Sequence, residues 1–361
     1  MLPLNVPFLP EASYVRFLND LGPCIHAVHF SLHDPVLCDA RVRLEQASLQ
    51  ATIDLLTRLP GPKKYLLANG RFQPAGTYAG PVGLSGLVVQ LERLLDAGVL
   101  DGLIFADSYL LTALGDIAPA LGTLLEAIPS VNFNIDSIGK MKALMDLVLA
   151  SGFRLPGKIT VDRDLNRRPV ELASFSTAIQ RRWPKIKIEL LANEGCLSHC
   201  PFRSTHEALI AATNNATRSD GRFDTQRLNR DLACQRQLTQ FPHRILASPF
   251  IRPEDICRYE GSADLIKVCG RTLGVDFLER SVQAYAQCHY RGNLLDLLDA
   301  AHWMSDHWNI PNGDIPKDFL DVLSTCEQDC ADCDFCRTHF EHQVCCKQLQ
   351  LQDWRNAKNA P

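Results

Sequence analysis

Fourteen cysteines in 361 residues are too sparse for a small disulfide scaffold and too many for an average cytosolic enzyme, so they need a chemical explanation. The densest set is Cys326, Cys330, Cys333 and Cys336, spaced C-x3-C-x2-C-x2-C in the run CEQDCADCDFC. These four cannot all be core residues, because Glu327, Asp329, Asp332 and Asp334 would be buried with them. A run this compact lets several thiolates converge on neighbouring irons and suits an iron–sulfur cluster. Zinc is the competing metal, although its commoner pattern separates two C-x2-C halves by a longer stretch. The acidic neighbours work against a negatively charged thiolate cluster, and free thiols are the remaining alternative.

A second set is Cys196 and Cys200 in GCLSHC, directly after an apolar run and Gly195. Two thiols four residues apart could face one metal centre, with further ligands drawn from Cys257, Cys269, Cys38 or Cys234. Cys269 and Cys234 also read as small apolar fillers, a common fate of free cysteine. For Cys234, on the helical pattern DLACQRQL, the filler reading is the favoured one.

Elements must position these groups. Short apolar or β-branched runs, each ending in turn or polar residues and followed by a helical pattern, predict strands at Ile25–Ser31, Lys64–Ala68, Gly102–Ala106, Val131–Ile135, Lys158–Val161, Ile186–Leu191, Arg244–Ala247 and Leu265–Val268. Between them lie amphipathic stretches such as LQATIDLLTRL, GLVVQLERLLDAG, ALGTLLEAI, KMKALMDLVLASG and VDFLERSVQAYAQ. Eight β-then-α units predict a (β/α)8 TIM-type barrel over residues 1–290, with a doubly wound open sheet as the alternative. Residues 291–361 read as a helical, cysteine-rich extension, an appendage without its own core. The longest gap follows the sixth predicted strand, Asn193 to His243, and such a loop at a barrel's carboxy-terminal face is usually functional.

Polar residues at the strand ends would converge at the barrel mouth, where catalysis resides in this fold. Asp162, Arg163, Asp164, Glu194, Lys267 and Arg271 are the candidate catalytic residues. Arginine matches carboxylates bidentately, so the Asp162–Asp164 run with Lys267 and Arg271 could bind an anionic co-substrate. Ion pairs that merely close the barrel end would explain the same residues.

With 37 Lys plus Arg against 41 Asp plus Glu, the net charge of −4 excludes a generally basic nucleic-acid coat. An arginine-rich run, Arg218, Arg222, Arg227, Arg230 and Arg236, keeps RNA open as a substrate, yet Asp220, Asp224 and Asp231 interleave it as on a solvated helix face. The amino-terminal stretch lacks the cationic and apolar regions of a secretory signal. The best apolar run, Leu103 to Ile128, is interrupted by Asp107, Asp116 and Glu126, so no membrane span is expected. A cytoplasmic location with reduced or metal-bound thiols follows.

The tail's first three cysteines match the C-x3-C-x2-C of radical SAM enzymes, but there the motif follows the first barrel strand, and here it follows the last predicted one. A different resemblance spans about residues 25 to 290. A strand ending IDS before KMKALMDLVLASGF, then ITVDRDLN, IELLANEGC, SPFIRPEDIC and ADLIKVCGRT together resemble, in their order, the collagenase-like peptidase U-32 family. That resemblance implies an oxygen-independent hydroxylase or hydroxylation factor acting on a small aromatic or nucleobase substrate. It further implies a [4Fe–4S] cluster and prephenate as co-substrate. Residue by residue it places ligands at Cys38, at Cys196 with Cys200, and at Cys257, whereas Cys269 stands where the family carries glutamate. With the tail run included, two clusters are expected. Two other functions compete: a non-catalytic accessory or electron-transfer subunit working with a paralogous partner or an electron donor protein, and a peptidase, for which the chain carries no H-E-x-x-H.

Overall fold

Runs such as IHAVHF and KKYLLA are almost wholly buried, as expected of parallel strands whose two faces are both covered by packing. In the computed structural model, which describes residues 1–32, 40–41, 47–78, 80–215, 225–327, 329–330, 332–343 and 345–346, eight such strands form one sheet. They are β1 (Leu4–Pro7), β2 (Ile25–Phe30), β3 (Lys63–Ala68), β4 (Gly102–Phe105), β5 (Glu126–Pro129), β6 (Lys158–Thr160), β7 (Lys187–Leu191) and β8 (Leu265–Lys267). Each pairs in parallel with its sequence neighbours, and β1 closes onto β8 with Asn5 beside Lys267. Only the β5–β6 seam lacks a ladder; there a bridge from Glu126 to Arg154 and a hydrogen bond from Asp162 N to Ile135 O (2.9 Å) hold the edges together. The architecture is therefore the expected (β/α)8 barrel, nearly closed.

Helices follow the strands: α1 (Ala12–Leu21), α2 (Leu49–Thr57), α3 (Pro81–Asp96), α4 (Ser108–Ile117), α5 (Pro119–Leu124), α6 (Ile138–Ala150) and α7 (Pro169–Arg182). After β7 come α8 (Arg203–Asn215), α9 (Thr225–Leu232) and α10 (Cys234–Gln240), and after β8 comes α11 (Gly274–Gln287). The tail contributes α12 (Phe319–Ser324) and α13 (Phe335–Gln343), and its two-residue strands Trp308–Asn309 and Cys345–Cys346 pair antiparallel. Among the described residues no helix is long and apolar enough to cross a membrane.

Six predicted strands are real, and three details of the prediction need correction. β1 was not expected, because four residues offer too short a pattern to register. Val131–Ile135 is not a strand: Ser130 accepts from Asn132 N to cap a 3₁₀ turn at Val131–Phe133, and Asn134 is left-handed (φ 47°). The strand is instead β5, at the end of the stretch read as helix ALGTLLEAI. Arg244–Ala247 lies in a 3₁₀ turn that Pro242 opens, with Ile245 and Leu246 buried away from the sheet. Cys196 and Cys200 still follow their predicted strand, now the seventh, and Cys269 keeps its strand end, whereas Cys257 sits in the 3₁₀ turn Pro253–Tyr259 between β7 and β8 rather than after a strand. The stretch LLDLLDAAHWMSDHW forms two 3₁₀ turns, Leu294–Leu297 and His302–Asp306, because its leucines are buried on more than one side.

One apolar core fills the space between strands and helices. A second gathers Leu197, Leu238, Ile245, Leu246 and Phe250 from the β7–β8 connection with Leu294, Leu298, Met304, Phe319, Leu323 and Phe340 from the tail. The long connection and the tail are thus packed against each other over the barrel's carboxy-terminal side.

Candidate active site at the barrel mouth

The barrel interior has two unlike halves. Along β2–β5, Ala27, Tyr65, Leu67, Ile104 and Ile128 form an apolar cluster. Along β1, β2 and β6–β8 the buried side chains are Asn5, His29, Lys158, Thr160, Glu189 and Lys267. Glu189 is their hub, accepting from Asn5 Nδ2 (2.8 Å), Lys158 Nζ (2.7 Å) and Thr160 Oγ1 (2.6 Å). Burial alone would raise its carboxyl, but Lys158, Lys267 and these bonds hold it at about 2. His29 Nδ1 lies 3.1 Å from Asn5 Oδ1, and burial, with Lys267 and Arg271 nearby, keeps its ring well below the ordinary imidazole value. Burial also lowers Lys267, to about 8, with Glu189 opposing and Lys158 adding to the effect.

Above this polar floor opens a cavity of about 440 Å³ that reaches from His29 and Lys267 to Trp303. Four thiols line it: Cys196, Cys200, Cys234 and Cys269. Asn193 fixes the last of these. Its Oδ1 accepts from Cys269 N (2.7 Å) and Sγ (3.3 Å), while its Nδ2 donates to the carbonyls of Cys269 and Leu297. Gly195 (φ +74°) turns the chain out of β7 where a Cβ would stand 3.0 Å from Leu298 Cβ, so the tail packs directly on this loop. Burial raises Cys196 and Cys269 well above an ordinary thiol; Glu194 adds to this at Cys196, while Arg163, Arg203 and Arg41 pull it towards thiolate.

The charged wall is largely compensated. Arg163 Nε is 2.6 Å from Glu194 Oε2, and Arg41 is 2.6 Å from Asp299 Oδ2 and 3.9 Å from Glu194 Oε1. Glu194 is held below the carboxylate range, Arg163 and Arg41 outweighing the larger upward push of burial. Arg271 is lowered to about 10 by burial against the pull of Asp299. One face of α8 supplies Arg203, His206 and Glu207. Glu207 sits 3.7 Å from Arg71, yet burial raises it to about 7, the range in which a carboxyl exchanges protons at neutral pH. His206 Nε2 is 2.8 Å from Asn229 Nδ2.

Of the residues singled out in the sequence, Arg163, Glu194, Lys267, Arg271, Cys196, Cys200 and Cys269 meet at this cavity. Asp162 and Asp164 are not among its lining residues. Asp162 accepts from Asp164 N to cap the 3₁₀ turn Arg163–Arg167, and Asp164 Oδ1 accepts from Ser198 Oγ (3.2 Å) and His199 N (3.1 Å), fastening the Cys196–Cys200 loop. Cys257 is exposed and lies near the Met1 amino group and Cys288 rather than on the cavity. Cys38 lies outside the described residues. Cys326, Cys330 and Cys333 are exposed in the tail and Cys336 is partly buried there. Burial pushes Cys336 up to about 12, and the other three thiols add to it. Among the described residues no group of three or more His, Cys, Asp or Glu is arranged to hold a metal ion. Of the arginine-rich run, Arg227 and Arg230 pair with Asp231 on the surface, and Arg218 and Arg222 lie outside the described residues.

Sequence reading missed Arg41, His206, Glu207, Asn229 and Asp299. For α8 a signal existed, since Arg203, His206 and Glu207 are spaced three and four apart and must share a helix face. Nothing local marked Arg41 or Asp299, which meet across 258 residues.

Fold and cavity define a parallel-barrel protein whose chemistry-bearing residues gather at the carboxy-terminal mouth. No family model matches the chain. It is 26% identical over 264 residues to an uncharacterized protease of Methanocaldococcus jannaschii, covering 73% of this chain and 71% of the relative. A solved structure described as the U32 peptidase Mk0906 superposes with a TM-score of 0.49 at 16% identity, over 75% of this chain and 94% of that one. The expected likeness to the collagenase-like peptidase U-32 family agrees with the protease name of this relative.

Proposed function

We propose that the barrel mouth is the active site of an iron–sulfur enzyme that hydroxylates a small aromatic or nucleobase substrate without dioxygen, an anionic organic co-substrate such as prephenate supplying the oxygen atom and accepting the two electrons. The observation that carries this reading is one cavity in which Cys196, Cys200 and Cys269 stand beside Arg163, Lys267 and Arg271. The thiols come from the ends of two adjacent strands, and the Arg41, Arg163 and Arg203 guanidiniums partly oppose the burial that raises Cys196. Cys196, Cys200 and Cys269, which are not drawn together as a metal site in this structure, would have to converge to hold the cluster, with Cys234 beside Cys200 as the neighbouring thiol. When bound, such a cluster supplies Lewis acidity or an electron path. Around it Lys267 and Arg271 bind the carboxylate of substrate or co-substrate, Glu207 exchanges a proton, and Trp303 and Leu273 close the apolar side of the cavity against water.

The test is anaerobic purification with iron, sulfide and absorption measurements. Wild-type protein is expected to be brown, and a Cys196→Ser/Cys200→Ser variant to lose the barrel component and turnover together. A variant with unchanged iron and spectrum would overturn the assignment.

A second reading, a thiol peptidase, is favoured by the protease name of the methanogen relative and by Cys200, His206 and Asn229 on the same cavity. Burial raises Cys200, the opposite of what a nucleophilic thiol needs. Cleavage of unstructured protein substrates by the metal-free chain, abolished in His206→Ala, would establish this reading in place of the first.

A further inference from the structure

We infer that His29 reads the substrate by accepting a hydrogen bond: its bare Nε2 faces the cavity and demands an O–H or N–H on the molecule that Lys267 and Arg271 hold. This role needs the barrel mouth to be a substrate site, as proposed above, but it needs no cluster. A chain of hydrogen bonds sets the tautomer, each link fixing the next. Glu189 is fully buried against Lys158 Nζ (2.7 Å) and Thr160 Oγ1 (2.6 Å), and an ionised carboxylate can only accept. The Asn5 atom 2.8 Å from it must therefore be the amide nitrogen, Nδ2. That turns Asn5 Oδ1, an acceptor, towards His29 Nδ1 at 3.1 Å. Nδ1 must then carry the hydrogen, and in a neutral ring Nε2 is left with its lone pair.

The surroundings keep the ring neutral. His29 is 1% exposed, and the charges acting on it are the cations Lys267, Arg271 and Lys158, so burial and charge both disfavour imidazolium. Nε2 has no partner among the described residues, and the ring borders the cavity. Strand register sets a donor beside it. On β1, Asn5 stands opposite Lys267 of β8, and Pro7 stands opposite His29 of β2, so amine and imidazole flank one strand at the cavity floor. The Lys267 nitrogen donates in either protonation state, and Arg271 donates as well. Donors with one lone pair among them match a molecule that carries an oxygen acceptor and, within reach of it, an O–H or N–H. Hydroxylated aromatic acids and the imide edge of a pyrimidine share that chemistry. A ligand without the donor leaves Nε2 buried and unpaired, which is how a site built around a hydrogen bond rejects close analogues.

The experiment uses the full chain, with nitrogen-15 in its histidines and His29 assigned by its absence from the spectrum of His29→Gln. At neutral pH the wild-type ring is expected to carry its hydrogen on Nδ1 with Nε2 bare; the opposite tautomer, or imidazolium, would overturn the inference. Calorimetry then compares probes that differ by one donor: meta- and para-hydroxybenzoate against benzoate, and uracil against the derivative methylated at its imide nitrogen. The donor-bearing probe of at least one set is expected to bind roughly tenfold tighter, and the set that shows this tells which source the site takes. His29→Leu should erase that ratio, and His29→Gln, whose side-chain oxygen can accept in place of Nε2, should restore part of it. Equal affinities within both sets, or a ratio that survives in His29→Leu, would overturn the role of His29, and the wild-type affinities need no variant to fold. Iron and sulfide are measured on the same samples. A chain holding neither that still shows the tautomer and the ratio refutes the cluster alone, and a cluster-bearing chain that shows neither refutes His29 alone.

Discussion

Lys267 is where single-residue electrostatics can be tested most directly. Buried beneath the cavity and lowered to about 8, it carries its charge below that pH and loses it above. An anion bound there should therefore weaken as pH rises through about 8, by roughly tenfold if one charge-assisted hydrogen bond of ~1.5 kcal/mol is lost. Titration calorimetry with a small dicarboxylate would show this step, and Lys267→Met should bind weakly with no step at all. Stability runs the other way. A lysine whose folded value lies below its unfolded value of about 10.4 opposes folding while it is charged, so this penalty is present below pH 8 and relieved as pH rises from 8 towards 10.4. Thermal midpoints of wild type and Lys267→Met should converge over that interval. A binding step that persists in Lys267→Met would assign it to another group.

At the scale of elements, the turn from β8 into α11 sets the position of Cys269 and Arg271, and its middle residue is Gly270. Its φ of +124° is a conformation that side chains rarely adopt, and a Cβ would stand 2.0 Å from Phe277 Cε1 in α11. Gly270→Ala must therefore displace α11 or the turn, at a cost of roughly 2–4 kcal/mol, and denaturant unfolding should show it. The same turn shows how far the sequence is legible. Strands in apolar runs closed by polar residues, such as β2, β3 and β8, can be read because burial on both faces writes a continuous pattern. β5 cannot, because its Glu126 is buried among Lys63, Tyr65 and Gly157 and a carboxylate breaks that pattern. The strand-end thiols were legible for the same reason as the strands. Arg41, Asp299 and the α8 residues were not, since their meeting depends on how the long β7–β8 connection folds back, which no local spacing encodes.

The whole molecule is tied together by its second core, and this decides what the tail does. A cysteine-rich appendage without a core could be removed with little effect, and deletion after Asp314 would leave everything before it intact. Yet Ile315, Phe319, Leu323 and Phe340 are buried in the same cluster as Leu197, Leu238, Ile245, Leu246 and Phe250, and Arg252 donates to Ile315 O while stacking near Phe319. Removing them exposes the underside of the connection that carries Cys200 and Cys234, at roughly 1.5–3 kcal/mol for each large apolar side chain uncovered. The main core loses only Leu320 to the deletion. A chain ending at Asp314 is therefore expected to keep its barrel, with slow amide exchange in β2–β4 and β7, while residues 196–247 exchange faster and become sensitive to protease. Point variants should grade the effect: Phe319→Ala, which also strips Arg167 and Arg252 of an aromatic neighbour, should loosen the same segment by ~3–5 kcal/mol without touching the barrel strands. If amide exchange shows residues 196–247 equally protected in the full and shortened chains, the connection holds its own fold and the cavity's thiols are placed by the barrel alone. Faster exchange confined to that segment would instead mean that the tail builds the roof of the cavity.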